Sequence, residues 1–91
     1  HIVINNGAHD SVGAQPTVAL KIDIPAIARA AGYGNAVSVR TKEELASALS
    51  SKTETTTLIE IKTRTGSRKD LGRPKESPIE NKNALMGFIK S

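Results

Sequence analysis

The 91-residue chain contains no cysteine and no tryptophan, and a single tyrosine and a single phenylalanine. The missing thiols exclude disulfide staples and thiolate-bound metal. The scarcity of aromatics removes the platforms on which nucleic-acid bases stack and the anchors that large interfaces favour. No apolar run approaches the ~20 residues that a membrane-spanning helix needs, and no secretory leader is visible. The core must come from Ile, Val, Leu and Ala, a supply that suits a small α/β layer. A chain this short buries a modest fraction of its surface, so standing alone it is expected to be marginally stable. The formal net charge is +4, and the excess is uneven. Lys62, Arg64, Arg68, Lys69, Arg73 and Lys75 crowd one segment against Asp70 alone. Such a cluster either attracts phosphate, carboxylate or nucleic acid or is a solvated loop.

Ile2-Val3-Ile4 is a β-branched run ended by Asn5-Asn6-Gly7, which reads as a buried strand stopping at a polar turn. The chain starts at His1, directly before this strand and without an initiator Met. Upstream sequence is therefore expected, and cytoplasm is only the default compartment. From Gly7 to Lys21 no period persists; so long a loop is uncommon in a small domain and often functional. Asp23 to Ala31 reads as a helix capped by Asp23, with Pro25 in its first turn and Gly32 at a left-handed C-terminal cap. Ile24, Ile27, Ala28 and Ala31 share its apolar face. Ala36 to Arg40 reads as a strand. Thr41-Lys42-Glu43-Glu44 is a capping box opening a helix to about Ser50, with Leu45, Ala48 and Leu49 toward the core. Thr57 to Thr63 is a third strand, and Thr65 to Lys75 a basic loop. Ser77-Pro78-Ile79-Glu80 is a second capping box, opening a final helix that carries Leu85, Met86, Phe88 and Ile89. Alternating strands and helices predict a three-layer α/β arrangement, a mostly parallel sheet flanked by helices. Ligands of such sheets bind beyond the carboxyl ends of the strands, and both Asn5-Asn6-Gly7 and the basic loop lie at such ends.

Three segments could carry chemistry. A carboxamide oxygen from Asn5 or Asn6 is a hard neutral ligand suited to Mg²⁺ or Ca²⁺, and Gly7 allows a nearby carbonyl to turn toward the same ion. One amide and one carbonyl cannot complete octahedral Mg²⁺, so a carboxylate and phosphate oxygens must come from elsewhere. On composition alone, Asn-Asn-Gly is more often a plain turn. His9 can act as acid or base near neutral pH, or be a surface loop residue. Its neighbour Asp10 does not face it in any regular element, and Ser11 lacks a nucleophile-elbow context. In Ser67-Arg68-Lys69-Asp70-Leu71-Gly72-Arg73-Pro74 the Arg forks match phosphonate, sulfonate or carboxylate oxygens. The same loop could instead pair Asp70 locally with Arg68 or Arg73, or brace a subunit contact.

Ile2-Val3-Ile4-Asn5-Asn6 looks like the end of the thiamine-diphosphate signature, which starts with Gly-Asp-Gly and closes on a strand and Asn-Asn. Gly7-Ala8-His9-Asp10-Ser11-Val12-Gly13-Ala14-Gln15-Pro16-Thr17 and Arg68-Lys69-Asp70-Leu71-Gly72-Arg73-Pro74 closely resemble the phosphonopyruvate decarboxylases, with the sulfopyruvate decarboxylases as nearest neighbours. Both sit within the thiamine-diphosphate-dependent 2-oxoacid decarboxylase family. The resemblance covers nearly the whole chain. Ala14 departs from it, standing where a second Gly is expected.

The resemblance implies that residues 1–91 are the C-terminal portion of the diphosphate-binding domain, with no second domain. It implies thiamine diphosphate and Mg²⁺ as cofactors. Asn6 through its side chain and Ala8 through its carbonyl would be the metal ligands; Asn6, Gly7, Ala8 and His9 would line the cofactor, and His9 would stand near the thiazolium and the substrate as the catalytic candidate. Arg68 and Arg73 are the substrate-binding candidates. The implied reaction is loss of CO₂ from 3-phosphonopyruvate to give phosphonoacetaldehyde, within a homo-oligomeric parent. The Gly-Asp-Gly half and the pyrimidine-binding domain are absent from these residues, so the chain alone is expected to be inactive and to depend on the remainder of its parent.

Two alternatives stand beside this reading: another anionic 2-oxoacid substrate such as sulfopyruvate, or a stand-alone anion-binding module. Nucleic acid is a poor partner without interleaved aromatics, and nothing points to a membrane.

Overall fold

A computed structural model describes residues 1–51 and 53–91. Three strands form a parallel sheet: β1 (Ile2–Asn5), β4 (Asn35–Val39) and β5 (Thr57–Lys62), in spatial order β1-β5-β4. The register sets Ile2 beside Ile59 and Asn5 beside Lys62 on one side of β5, and Val37 beside Ile59 on the other. The last strand in sequence is thus the central one. That position explains why Leu58, Ile59 and Glu60 are consecutive and all buried, since the crossover helices of a parallel sheet cover both faces of its central strand.

Between β1 and the first helix, the segment expected to lack regular structure contains a small antiparallel ladder. β2 (Ala8–His9) pairs with β3 (Gln15–Pro16), with a single 3₁₀ turn at Asp10–Val12 between them. Two residues per strand are too few to leave a period in the sequence. Their pairing is closed by Thr17 N donating to the Gly7 carbonyl at 2.8 Å.

Helix α1 (Ile24–Ala30) starts as its sequence dictates: the Asp23 carboxylate accepts from Ala26 N at 2.9 Å and Pro25 occupies the first turn. Gly32 takes φ +96° just beyond the helix. α1 packs on one sheet face, where Ala28, Ala36 and Leu58 form the core with Val3, Ile24 and Tyr33 against them. The Arg29 guanidinium fastens the helix end to β4 by donating to the Ala36 carbonyl at 2.7 Å. Ile27 and Ala31, both expected on the apolar face, are exposed, and Ala31 caps the helix rather than belonging to it. Helix α2 (Lys42–Ser50) has the full Thr41/Glu44 capping box and lies against the opposite sheet face near β4, with Leu45 and Ala48 half-buried and Leu49 exposed. The expected layering of helix, parallel sheet and helix is therefore present. Helix α3 (Pro78–Lys90) has the second expected capping box, yet every residue along it is exposed.

β1 is not the buried strand its composition suggested. It is an edge strand: Val3 and Asn5 face the α1 side, whereas Ile2 and Ile4 are 59% and 72% exposed on the face that α2 leaves open. The same incompleteness shows in bulk. The accessible surface is 7668 Å², against about 5,100 Å² for a compact monomer of this mass. The radius of gyration is 16.4 Å, against about 12 Å for a compact chain of this length.

Candidate functional site

The carboxyl ends of β1 and β5 bring the candidate segments together. Asn5 ends β1 on the α1 face and is 4% exposed. Its side chain is saturated: Nδ2 donates to Glu60 Oε1 at 2.7 Å and to the Ala19 carbonyl at 2.8 Å, while Oδ1 accepts from Gly7 N at 3.0 Å. Asn5 is thus built into the scaffold, and the half-buried Asn6 is the one that points into the turn. The Asn6 amide is oriented by its partners. Nδ2 donates to Asp10 Oδ2 at 2.9 Å, and Oδ1 accepts from Ala8 N at 3.0 Å. A carboxylate accepts only and a backbone N–H donates only, so a flipped amide would lose both bonds.

Gly7 is where the turn demands glycine. Its φ is +70°, and a Cβ there would lie 2.5 Å from Leu20 Cδ1. Ala8 follows in β2, half-buried, and His9 beside it is exposed. Asp10 does not serve His9. Its Oδ2 accepts from Asn6 Nδ2 and, at 2.9 Å, from Gly66 N of the basic loop. This carboxylate joins the two segments that the sequence singled out, and nothing in its local spacing announced it. Ala14, the residue in place of an expected glycine, adopts φ +54°. Its backbone is the left-handed one that glycine would supply without strain.

In the basic loop, Arg68 and Arg73 line one shallow concavity with Ser67, Leu71 and Gly72. Arg68 Nε lies 3.6 Å from Asp70 Oδ1, the local pairing foreseen as an alternative, with side chains 74% and 80% exposed. A pair so open to solvent contributes ~0.2–1 kcal/mol.

The Asn6 amide oxygen and the Ala8 carbonyl are hard neutral donors and fit Mg²⁺ as part of its shell. Among the described residues no group of three His, Cys, Asp or Glu gathers that could hold a metal ion, so a carboxylate ligand and diphosphate oxygens would have to complete it. Sequence reasoning missed Glu60, which is 1% exposed with Lys62 Nζ 4.0 Å from its Oε2. The available signal was a lone carboxylate among Ile residues in a strand destined for the sheet centre. No helix among the described residues is long and apolar enough to cross a membrane.

No protein-family model matches the chain. It is 37% identical over 91 residues to a phosphonopyruvate decarboxylase of Streptomyces viridochromogenes, an alignment covering 98% of this chain and 23% of that protein. To a phosphonopyruvate decarboxylase of Streptomyces hygroscopicus it is 40% identical over 82 residues, covering 88% of this chain and 20% of that protein. The likeness read from Gly7–Thr17 and Arg68–Pro74 is borne out by both. The chain spans about a fifth of the length of these curated relatives.

Proposed function

We propose that these residues are the C-terminal portion of the diphosphate-binding domain of a thiamine-diphosphate- and Mg²⁺-dependent decarboxylase that converts 3-phosphonopyruvate to phosphonoacetaldehyde and CO₂. The observation that carries this reading is the similarity, along almost the whole chain, to two phosphonopyruvate decarboxylases. The geometry supports it, because the Asn6 turn and the arginine loop meet at the carboxyl ends of a parallel sheet, where ligands of such sheets bind. The thiamine cofactor, when bound, supplies the electron sink that lets CO₂ leave the 2-oxoacid. The protein's task is placement and charge.

In this reading the Asn6 side-chain oxygen and the Ala8 carbonyl would be this chain's Mg²⁺ ligands, and Gly7, at φ +70°, makes the turn between them. His9, exposed on β2, is available to hold or move a proton at the substrate. Arg68 and Arg73 grip the substrate's anionic end. The exposed Ile2 and Ile4 face and the exposed apolar residues of α3 are then surfaces covered by the remainder of the parent chain or by a second subunit.

The test is a full-length decarboxylase assay comparing phosphonopyruvate with sulfopyruvate, with and without Arg73→Ala. The reading expects a preference for phosphonopyruvate. Magnitude decides the loop's role. An arginine that stays solvated contributes ~0.2–1 kcal/mol, whereas a charged partner of a desolvated anion costs about 2–5 kcal/mol when removed. A fall in kcat/KM of more than about ten-fold, equivalent to ~1.4 kcal/mol, therefore means that the loop closes on the substrate. Wild-type kinetics would assign it to structure, and a preference for sulfopyruvate would reassign the substrate.

A further inference from the structure

Glu60 is the most deeply buried charged side chain among the described residues, and nothing in the reaction above uses it. It stands diagonally across the β1–β5 pair from Asn5, because the register places Glu60 beside Val3 and Lys62 beside Asn5 on the same face. Its Oε1 accepts from Asn5 Nδ2 at 2.7 Å, and the opposite edge of that amide accepts from Gly7 N. One residue further on, Ala8 N donates to Asn6 Oδ1. Two hydrogen bonds thus run from the central strand through the Asn5 amide to Gly7 N, and a separate bond joins Ala8 N to Asn6 Oδ1 on either side of that glycine. The buried Asn5 amide is partnered at both its nitrogen and its oxygen, and buried polar groups satisfied in this way fix a unique geometry. Groups bonded directly to metal ligands tune metal affinity by about ten- to a hundred-fold, and Glu60 stands one step further back, acting through Asn5 on the Gly7 backbone between the two oxygens.

We propose that Glu60 is a positioning residue for the Asn6 and Ala8 oxygens: by holding the Asn5 amide it sets the path of the Gly7 turn and thereby the metal affinity of the site. The metal part rests on the reading of Asn6 as a Mg²⁺ ligand; the turn-holding part does not. With Glu60 shortened to alanine, Asn5 Nδ2 keeps only the Ala19 carbonyl, and the turn loses its side-chain tie to the central strand while the backbone bond from Thr63 N to the Asn5 carbonyl remains. Glutamine keeps an oxygen at the same reach.

The test uses the full-length enzyme and two readouts. The first is hydrogen exchange by mass spectrometry in the apo protein, over the peptide spanning Asn5 to Asp10. The second is the Mg²⁺ concentration that half-saturates thiamine diphosphate binding. Glu60→Ala is expected to raise both, the second by up to about ten-fold, the lower end of what loss of a direct ligand partner causes, and Glu60→Gln to hold both within about two-fold of wild type. Leu58→Ala, a core truncation on the same strand, is the control. It should lower the melting temperature while leaving the Mg²⁺ requirement in place, which a merely structural role for Glu60 would not distinguish. A folded Glu60→Ala enzyme with wild-type values for both readouts overturns the proposal, as does a Leu58→Ala enzyme whose Mg²⁺ requirement rises equally. If Glu60→Ala does not fold, Asn5→Ala cuts the same link from the other side, and wild-type values there overturn it as well. If the wild-type enzyme binds the cofactor without Mg²⁺, the reading of Asn6 fails, and the exchange readout still decides whether Glu60 holds the turn.

Discussion

Asp10 Oδ2 accepts a hydrogen bond from Gly66 N at 2.9 Å across fifty-six residues of sequence, and the same oxygen accepts from Asn6 Nδ2. One carboxylate oxygen thus ties the turn after the first strand of the sheet to the loop after the last. The Asn6 turn and the start of the arginine loop meet at this atom.

Asp10→Ala should release that tie. Both bonds are exposed, so the expected loss of stability is only about 1 kcal/mol. The larger effect is local: backbone exchange at Gly66 and through Ser67–Arg73 rises while the sheet stays protected. Unchanged protection at Gly66 would mean that the loop is held by other contacts.

Ala14 and Gly7 give predictions of opposite sign. Ala14 sits at φ +54°, where an L-residue carries about 1–2 kcal/mol of strain. Ala14→Gly removes it, offset by the greater freedom of glycine in the unfolded chain, and should stabilise by ~0.5–1 kcal/mol. Gly7→Ala adds the same strain and drives a methyl into Leu20, so it should destabilise by more than ~1 kcal/mol. Paired thermal melts check both; a neutral Gly7→Ala would show that the turn does not need glycine.

The helix starts carry an acid-sensitive signature. The backbone N–H of Arg40, then that of Thr41, holds the Glu44 carboxyl below its ordinary value of 4.5. The Ser77 backbone N–H, then the Ser77 hydroxyl, does the same for Glu80. A carboxyl with a lowered folded-state pKa contributes stability that is present above the unfolded value and is lost as pH falls through the folded one. Helical circular dichroism should therefore fall on acidification below pH ~4.5 as the two helix starts fray. A Glu44→Gln, Glu80→Gln double variant should lose part of that pH dependence; an acid profile identical to wild type would contradict the assignment.

What could be read in advance follows from the range of the interactions. Both capping boxes, the Asp23 cap and the strand order in sequence are local, and Thr41/Glu44, Ser77/Glu80 and Asp23/Pro25 announce themselves within four residues. Exposure of Ile2 and Ile4 was not legible, because β-branched composition marks a strand without saying whether an element covers each face. The Ala8–Pro16 ladder was too short to leave a pattern. The Asn5–Glu60 bond depends on β5 lying between β1 and β4, a fact of topology. The candidate site was legible as two segments through family likeness, and the atoms joining them were not. Ala14 is the intermediate case: the sequence flagged the missing glycine, and the backbone shows the conformation that makes glycine the natural occupant.

The central claim is that Asn6 contributes a Mg²⁺ ligand to a thiamine-diphosphate site completed by the rest of the enzyme. Calorimetric titration of the full-length protein with thiamine diphosphate, in Mg²⁺ and in chelator, compared with Asn6→Ala, tests it most directly. The account predicts Mg²⁺-dependent binding in the wild type, weakened at least ten-fold by Asn6→Ala, an effect of ~1.4 kcal/mol or more. Equal, Mg²⁺-dependent affinity in the two proteins would contradict it.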